Sequence, residues 1–375
     1  MAADNIPPFI AAQLNYLLSH FPLALKVEQI WSGGINSPAF SDRFTLVIPY
    51  CLEFIRWDVI YDVECPTAAP DVIFGPEDEN FHPFHPRIKS PKNCLSNWDN
   101  KDPTRLLTLI QYLRDQYGAY QRKRVGDVDD DRLKFEISTI LSREGIEMHM
   151  SSGAEKPEEV KFAVPLMDMN INKMVPGCPW RHSQRIYLQV MYPVEKRYAS
   201  APSAPRLKLV ATSELKALFS IDDVKLPSWL DGMCLAEYLP NLEESLKKQI
   251  LEAVSLIDVR RGFIEALACQ FGRPLEADPV FCRKATFLAA SGVFTFLVHF
   301  LIPTQFPRQQ PALILQSSQH FNSHSQRTPI KSGPLTDYPW SPRWEASQMA
   351  ERISEFLADE ALNFKRNCNE AQLQQ

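Results

Sequence analysis

At 375 residues, 45% hydrophobic and 23% charged, the chain holds enough apolar material for two or three domains of ordinary size. A net charge of −5 argues against a general nucleic-acid binder, and no stretch carries 18 uninterrupted apolar residues, so no membrane span is expected. Thirty prolines against 13 glycines point to strand-terminating loops rather than flexible linkers.

The N-terminus has neither a basic segment nor a long apolar run, so a cleaved signal is not expected. Pro7 and Pro8 stand where a helix can begin, and Ile10, Leu14, Leu17, Leu18 and Phe21 form an apolar stripe that Pro22 interrupts. Val27 to Trp31, Phe44 to Ile48 and Phe54 to Tyr61 read as strands, followed by a loop with Pro66 and Pro70 and a strand from Asp71 to Phe74. Gly33-Gly34 reads as a turn. Residues 75–97 are irregular and polar. Leu106, Leu109, Ile110, Leu113 and Tyr117 then mark a helix, with Asp102 as its expected cap and Pro103 in its first turn.

Between Gln121 and Asp131 the charge changes from basic to acidic, and a first boundary is placed there. Leu133 to Leu141 reads as a helix; Ile146 to Met150, Val160 to Leu166, Ile186 to Tyr192 and Leu207 to Val210 read as strands. Pro193 to Pro205 brackets another loop, and Trp229 lies 24 positions further on. Two readings of this middle segment stand: a degenerate repeat of its neighbours, or a structured linker. From Asn241 the stripe Leu242, Leu246, Ile250, Ala253, Ile257, Ile264, Ala268 and Phe271 predicts one long helix, weakened at Gly262. If it closes the middle unit and opens the last, the two are rigidly coupled.

Phe294, Phe296, Val298, Phe300 and Ile302 alternate with Thr295 and His299, as in a strand with one buried face. A loop from Pro303 to Pro311 follows, then a short apolar strand, Ala312 to Leu315. After a polar connection come Trp340, Ser341, Pro342, Arg343 and Trp344, and Met349, Ile353, Phe356 and Leu357 recur at helical spacing. The first unit has the same plan. Pro66 and Pro70 are four apart, as are Pro307 and Pro311; Trp98 follows Pro70 by 28 positions, and Trp340 follows Pro311 by 29.

Strand, proline-bracketed loop, strand, Trp and helix resemble the core of the ubiquitin-conjugating fold. More narrowly, YPWSPRW with the FPRQQP loop, and RWDVIYDVECPTAAPDVIFG near the N-terminus, resemble the BRE family. Its members are UEV-domain scaffold subunits of the BRISC deubiquitinase and of its nuclear sister assembly in the DNA-damage response. The resemblance implies an α+β chain of tandem ubiquitin-conjugating-like (UEV/RWD) units, each a meander antiparallel sheet flanked by helices. The units expected are 1–125, 126–240 (degenerate) and 241–375. It also implies a non-catalytic role in cytoplasm and nucleus, bridging a JAMM metalloprotease and its Abraxas-type inactive partner to a MERIT40-type adaptor. That adaptor's tail would be held by the C-terminal unit, and the assembly would trim non-degradative lysine-linked polyubiquitin. Contact with nucleic acid or a membrane is not expected.

The chemistry the chain lacks agrees with this. A conjugating enzyme needs a cysteine nucleophile upstream of the Trp, normally after His-Pro-Asn. The first unit offers only Cys94, four residues before Trp98 and preceded by Phe84-His85-Pro86-Arg87; the interval from Gln316 to Pro339 holds no cysteine. Eight cysteines form no CxxC pair, so free thiols in a reducing compartment are expected. His82 with His85, and His320 with His324, have metal-like spacing but no supporting ligand, and HxH and HExxH signatures are missing, so no metal or cofactor is expected. Any zinc in such an assembly must sit on another subunit. Phe306, Tyr338, Trp340, Arg343 and Trp344 are the candidates for a groove that receives an extended peptide. For Trp340 the alternative is packing under the helix that follows it. Two further functions stay open: a stand-alone UEV module that binds ubiquitin or peptide, and an atypical conjugating enzyme using Cys94.

Overall fold

The computed structural model describes residues 6–33, 40–62, 64–84, 95, 98–140, 142–153, 156–166, 171–180, 184–194, 204–322 and 328–373. The chain is α+β. Its helices are α1 (Pro8–His20), α2 (Arg105–Gly126), α3 (Asp131–Ile140), the single turn α4 (Ile171–Met174), α5 (Leu235–Phe271) and α6 (Ala346–Leu373). Among the described residues three sheets accompany them, each following chain order from strand to strand. The first is β1 (Lys26–Trp31), β2 (Arg43–Tyr50), β3 (Glu53–Ile60) and β4 (Asp71–Ile73). The second is β5 (Glu147–Gly153), β6 (Lys156–Leu166), β7 (Ile186–Pro193) and β8 (Arg206–Ala211). The third is β9 (Glu276–Ala277), β10 (Lys284–Ser291), β11 (Phe294–Leu301), β12 (Ala312–Asn322) and β13 (Thr328–Lys331). Two compact units divide the residues. One comprises 1–166, 185–210 and 228–239; the other comprises 167–184, 211–227 and 240–375.

In the first compact unit, α1 and α2 cover the apolar face of the first sheet. Ile10, Leu14 and Leu17 meet Leu46, Ile48, Trp57 and Val59 in one core, with Leu106, Leu109, Ile110 and Leu113 of α2. Leu18, expected in the α1 stripe, is exposed. The β2–β3 hairpin turns through Cys51 and Leu52, both at positive φ (+50° and +64°), as a tight two-residue turn requires. Its tip is tied to the second sheet: Cys51 N–H donates to Glu147 Oε2 (2.6 Å), Tyr50 Oη donates to the Met148 carbonyl (2.8 Å), and Lys161 bonds Glu53. The last turns of α2 reach the same sheet, where Gln121 Oε1 accepts from Met150 N–H (3.2 Å). Trp98 is buried, edge-on to Tyr61 at 6.4 Å.

Asp102 does not cap α2. The residue before the helix is Thr104, which makes no side-chain cap, while Asp102 Oδ1 accepts from both Thr104 N–H (2.9 Å) and its hydroxyl (2.7 Å). The aspartate closes the turn ahead of the helix, two residues early. Asp130 is a true cap for α3, accepting from Arg132 and Leu133 N–H at 2.9 and 3.1 Å.

In the second compact unit, α5 and α6 pack on one face of the third sheet. Phe263 and Phe271 of α5 meet Phe300, and Phe364 of α6 meets Phe294 at 6.1 Å. The long helix begins at Leu235 rather than Asn241 and contains Pro240; Gly262 does not interrupt it. Pro240 stands in its second turn, past the unbonded first N–H groups, so the helix forgoes the bond to the Ala236 carbonyl there. The strand expected at Ala312 to Leu315 runs on to Asn322. Its polar half is held by ladder bonds, first to β11 through the Phe296–Ser317 pair and then to β13 through Phe321–Pro329 and Asn322–Thr328.

Candidate functional site

The candidate site lies within the second compact unit, at the loop between β11 and β12. Pro303, Pro307 and Pro311 remove three backbone donors from this loop and leave its carbonyls in need of partners. The loop's own Phe306 and Gln309 N–H groups serve the Pro303 and Gln305 carbonyls, and three side chains serve others. Arg260 of α5 donates from Nη1 to the Thr304 carbonyl (3.2 Å), Trp340 donates from Nε1 to that of Pro307 (3.0 Å), and Tyr338 donates its hydroxyl to that of Pro311. Arg260 is fully buried and also donates from Nε to the Phe281 carbonyl (2.9 Å), while its Nη2 has no partner among the described residues. Burial, and then the charge of Arg283, lower its pKa to about 10. It therefore stays charged at neutral pH, and carbonyl dipoles are its direct compensation. The Phe306–Pro307 peptide is cis.

Phe306 is buried, its ring 4.8 Å from Phe263 and 5.6 Å from Trp340. Tyr338 is buried between Trp340 (6.3 Å, edge-on) and Phe356 (5.4 Å), and burial raises its pKa. Trp340 is half-buried beneath the loop, Trp344 is half-buried, and Arg343 is exposed. The five residues therefore fall into layers. Phe306, Tyr338 and Trp340 form the support of the loop, and Arg343 and Trp344 follow it toward α6.

Beside the loop runs a groove of about 460 Å³. Its lining combines Leu218 and Phe219, which follow the short helical turn at 213–217, with Ala253 and Leu256 from α5, and Phe306, Pro307 and Pro342. Polar side chains bridge its rim: Arg308 Nη2 meets Glu252 Oε1 at 3.0 Å, and Gln305 Nε2 donates to Asp223 Oδ2 at 2.9 Å. Arg283 Nη1 holds the turn at 213–217 by donating to the Lys216 carbonyl (3.3 Å). Apolar floor, polar rim and fixed walls suit an extended segment better than a small polar metabolite. Sequence reasoning found Phe306 but not the other wall, because residues 218–223 and 249–256 join the loop only in three dimensions. One local signal existed. Arg260 sits in the gap of the apolar stripe between Ile257 and Ile264, where an arginine must be buried.

No arrangement among the described residues resembles a reaction centre. Cys94, His85 and His324 lie outside the described residues, as does most of the loop expected between Pro193 and Pro205. His320 has both ring nitrogens engaged, Nδ1 with Ser317 Oγ (2.9 Å) and Nε2 with Asn369 Oδ1 (3.1 Å). Among the described residues no three His, Cys, Asp or Glu side chains gather as a metal site requires. Cys51, Cys282 and Cys368 are buried, and burial raises the pKa of each thiol, the opposite of what activates a nucleophile.

The model of the family described as Brain and reproductive organ-expressed protein (BRE) matches residues 8–321. A Danio rerio protein named "BRISC and BRCA1-A complex member 2" is 30% identical over 351 residues, covering 89% of this chain and 86% of that protein. A Branchiostoma floridae protein of the same name is 29% identical over 333 residues, covering 87% and 84%.

Proposed function

The chain belongs to the BRE family, and from that premise we propose that it is a non-catalytic scaffold subunit of a JAMM-metalloprotease deubiquitinase assembly. The two relatives are named as members of BRISC and BRCA1-A complexes, and neither name is that of an enzyme. This chain would bridge the metalloprotease and its Abraxas-type inactive partner to a MERIT40-type adaptor, in cytoplasm and nucleus. The assembly would then act on non-degradative lysine-linked polyubiquitin. Among the described residues no helix is long and apolar enough to cross a membrane.

The observation that carries the reading is the groove beside the β11–β12 loop. Its loop wall is fixed by Arg260, Trp340 and Tyr338 before any ligand arrives. A preformed apolar floor suits the extended tail of an adaptor. The test is purification of the tagged full chain from its own cells, with partner identification and intact-complex mass. A JAMM metalloprotease and a von Willebrand-like adaptor at fixed ratio are expected. Recovery of the chain alone, as a monomer, would remove the scaffold reading in favour of a lone ubiquitin- or peptide-binding module. Ala253→Phe, which fills the groove floor, is expected to release the adaptor and retain the metalloprotease pair. A reducible, Cys94-dependent ubiquitin adduct would overturn the non-catalytic assignment.

A further inference from the structure

On the first sheet the face away from the helices mixes Lys26, Glu28, Arg56 and Asp58 with Phe54, Ile60 and Ile73. Arg56 pairs with Glu28 at 3.3 Å, and Thr45 donates to Asp58 at 2.6 Å. Charged and hydrogen-bonded pairs therefore separate its apolar positions. The corresponding face of β10, β11 and β12 bears Leu288, Leu297, Leu301 and Ile314 around His299. Leu288 stands directly opposite Leu297, and His299 stands between Thr286 and Ile314. Leu288 and Leu301 are 49% and 40% exposed. His299 adds no free polar atom: Nδ1 bonds Thr286 Oγ1 (3.0 Å) and Nε2 bonds Gln316 Oε1 (3.1 Å).

The charges around this strip are mainly positive. Lys284 flanks Leu301 in the ladder, and Lys331 flanks Gln316. Glu276, beside Thr286, is the acid that faces them, and it already pairs with Lys284 at 3.5 Å. Three strands about 4.8 Å apart give a strip about 10 Å wide, the width of one helix with its side chains. From Leu297 to Leu301 the apolar positions run about 13 Å along the strands, the length of about nine helical residues.

We propose that this face of the third sheet seats one amphipathic helix of a partner protein, with its apolar stripe on Leu288, Leu297, Leu301 and Ile314 and an acidic flank toward Lys331 and Lys284. The assignment is independent of the groove, which lies elsewhere in the same unit.

The test titrates the full-length chain with two synthetic helical peptides of about 18 residues. Both carry leucines at i, i+3, i+4 and i+7; one is flanked by glutamates and the other by lysines. The glutamate peptide is expected to bind about tenfold more tightly than the lysine peptide. Leu288→Glu with Leu301→Glu, two exposed positions, should abolish its binding without moving the unfolding midpoint, and Lys331→Glu should weaken it. Failure of the glutamate peptide to bind, equal binding of both peptides, or indifference to the leucine changes would overturn the proposal. So would a full chain that is dimeric and becomes monomeric on the same changes, since the face would then belong to a second copy. Loss of ubiquitin binding in the double variant would assign the face to ubiquitin instead and equally overturn it.

Discussion

At the scale of single residues, the β11–β12 loop depends on donors that its own backbone lacks. Trp340→Phe keeps an aromatic ring under the loop but removes the N–H that serves the Pro307 carbonyl. A loss of about 1 kcal/mol is expected in urea unfolding, the worth of one ordinary hydrogen bond. An unchanged midpoint would show that the bond contributes nothing. His299 gives a pH signature. Partial burial is the first cause that lowers its pKa below 6.5, with Lys331 and Lys284 adding to it, while the Gln316 bond and Glu276 oppose. The folded imidazole therefore resists the proton that the unfolded one accepts. Its contribution to stability is complete above pH 6.5 and declines on acidification below that value. Thermal melts of His299→Gln across this window should fall less steeply with acid than those of the natural chain. An equal slope would exclude the histidine as a source of the dependence.

Among the elements, the start of α5 shows how a helix is capped without a capping residue. Cys234 has no side-chain oxygen to offer, but Glu237 reaches back to its N–H at 3.1 Å, and Glu136 of α3 accepts from Leu235 N–H at 2.8 Å. Glu136→Ala should cost about 1 kcal/mol, and Glu136→Gln, which retains the acceptor, should cost less. Equal losses in denaturant titrations would point to the charge rather than the cap. The same scale explains what could be read in advance. β11 was legible because Phe294 to Ile302 alternate against polar neighbours. β10 was not, because Leu288 and Ala290 occupy its outer positions and erase the alternation. The polar half of β12 was missed for the opposite reason, since ladder pairing rather than side-chain burial makes it a strand. Phe306 was visible in the candidate groove, but Leu218, Asp223 and Glu252 were not. Their meeting is set by chain folding, not by any local pattern.

On the scale of the molecule, burial sorts the thiols. Of the seven described cysteines, Cys65 and Cys269 are exposed, while Cys51, Cys282 and Cys368 are buried. Brief alkylation of the native chain, read by peptide mass spectrometry, should label the exposed pair first and the buried three only after denaturation. Early labelling of Cys51 would mean that the β2–β3 tip leaves the second sheet. The plan of the chain, helix then meander then helix, was readable from proline and tryptophan spacing at both ends. The middle sheet has the same strand order as the first. Its signals were weaker because its connecting loop is longer and its apolar positions stand on both faces, as Ala163 beside Val164 shows.

The fixing of the β11–β12 loop by three side chains has a kinetic consequence. A wall already set in place loses little conformational entropy when it is occupied, and it has no slow rearrangement to complete on contact. For the tail proposed above, arrival then becomes a matter of diffusion and orientation. Tails that differ in sequence should arrive at similar rates and differ chiefly in how long they stay.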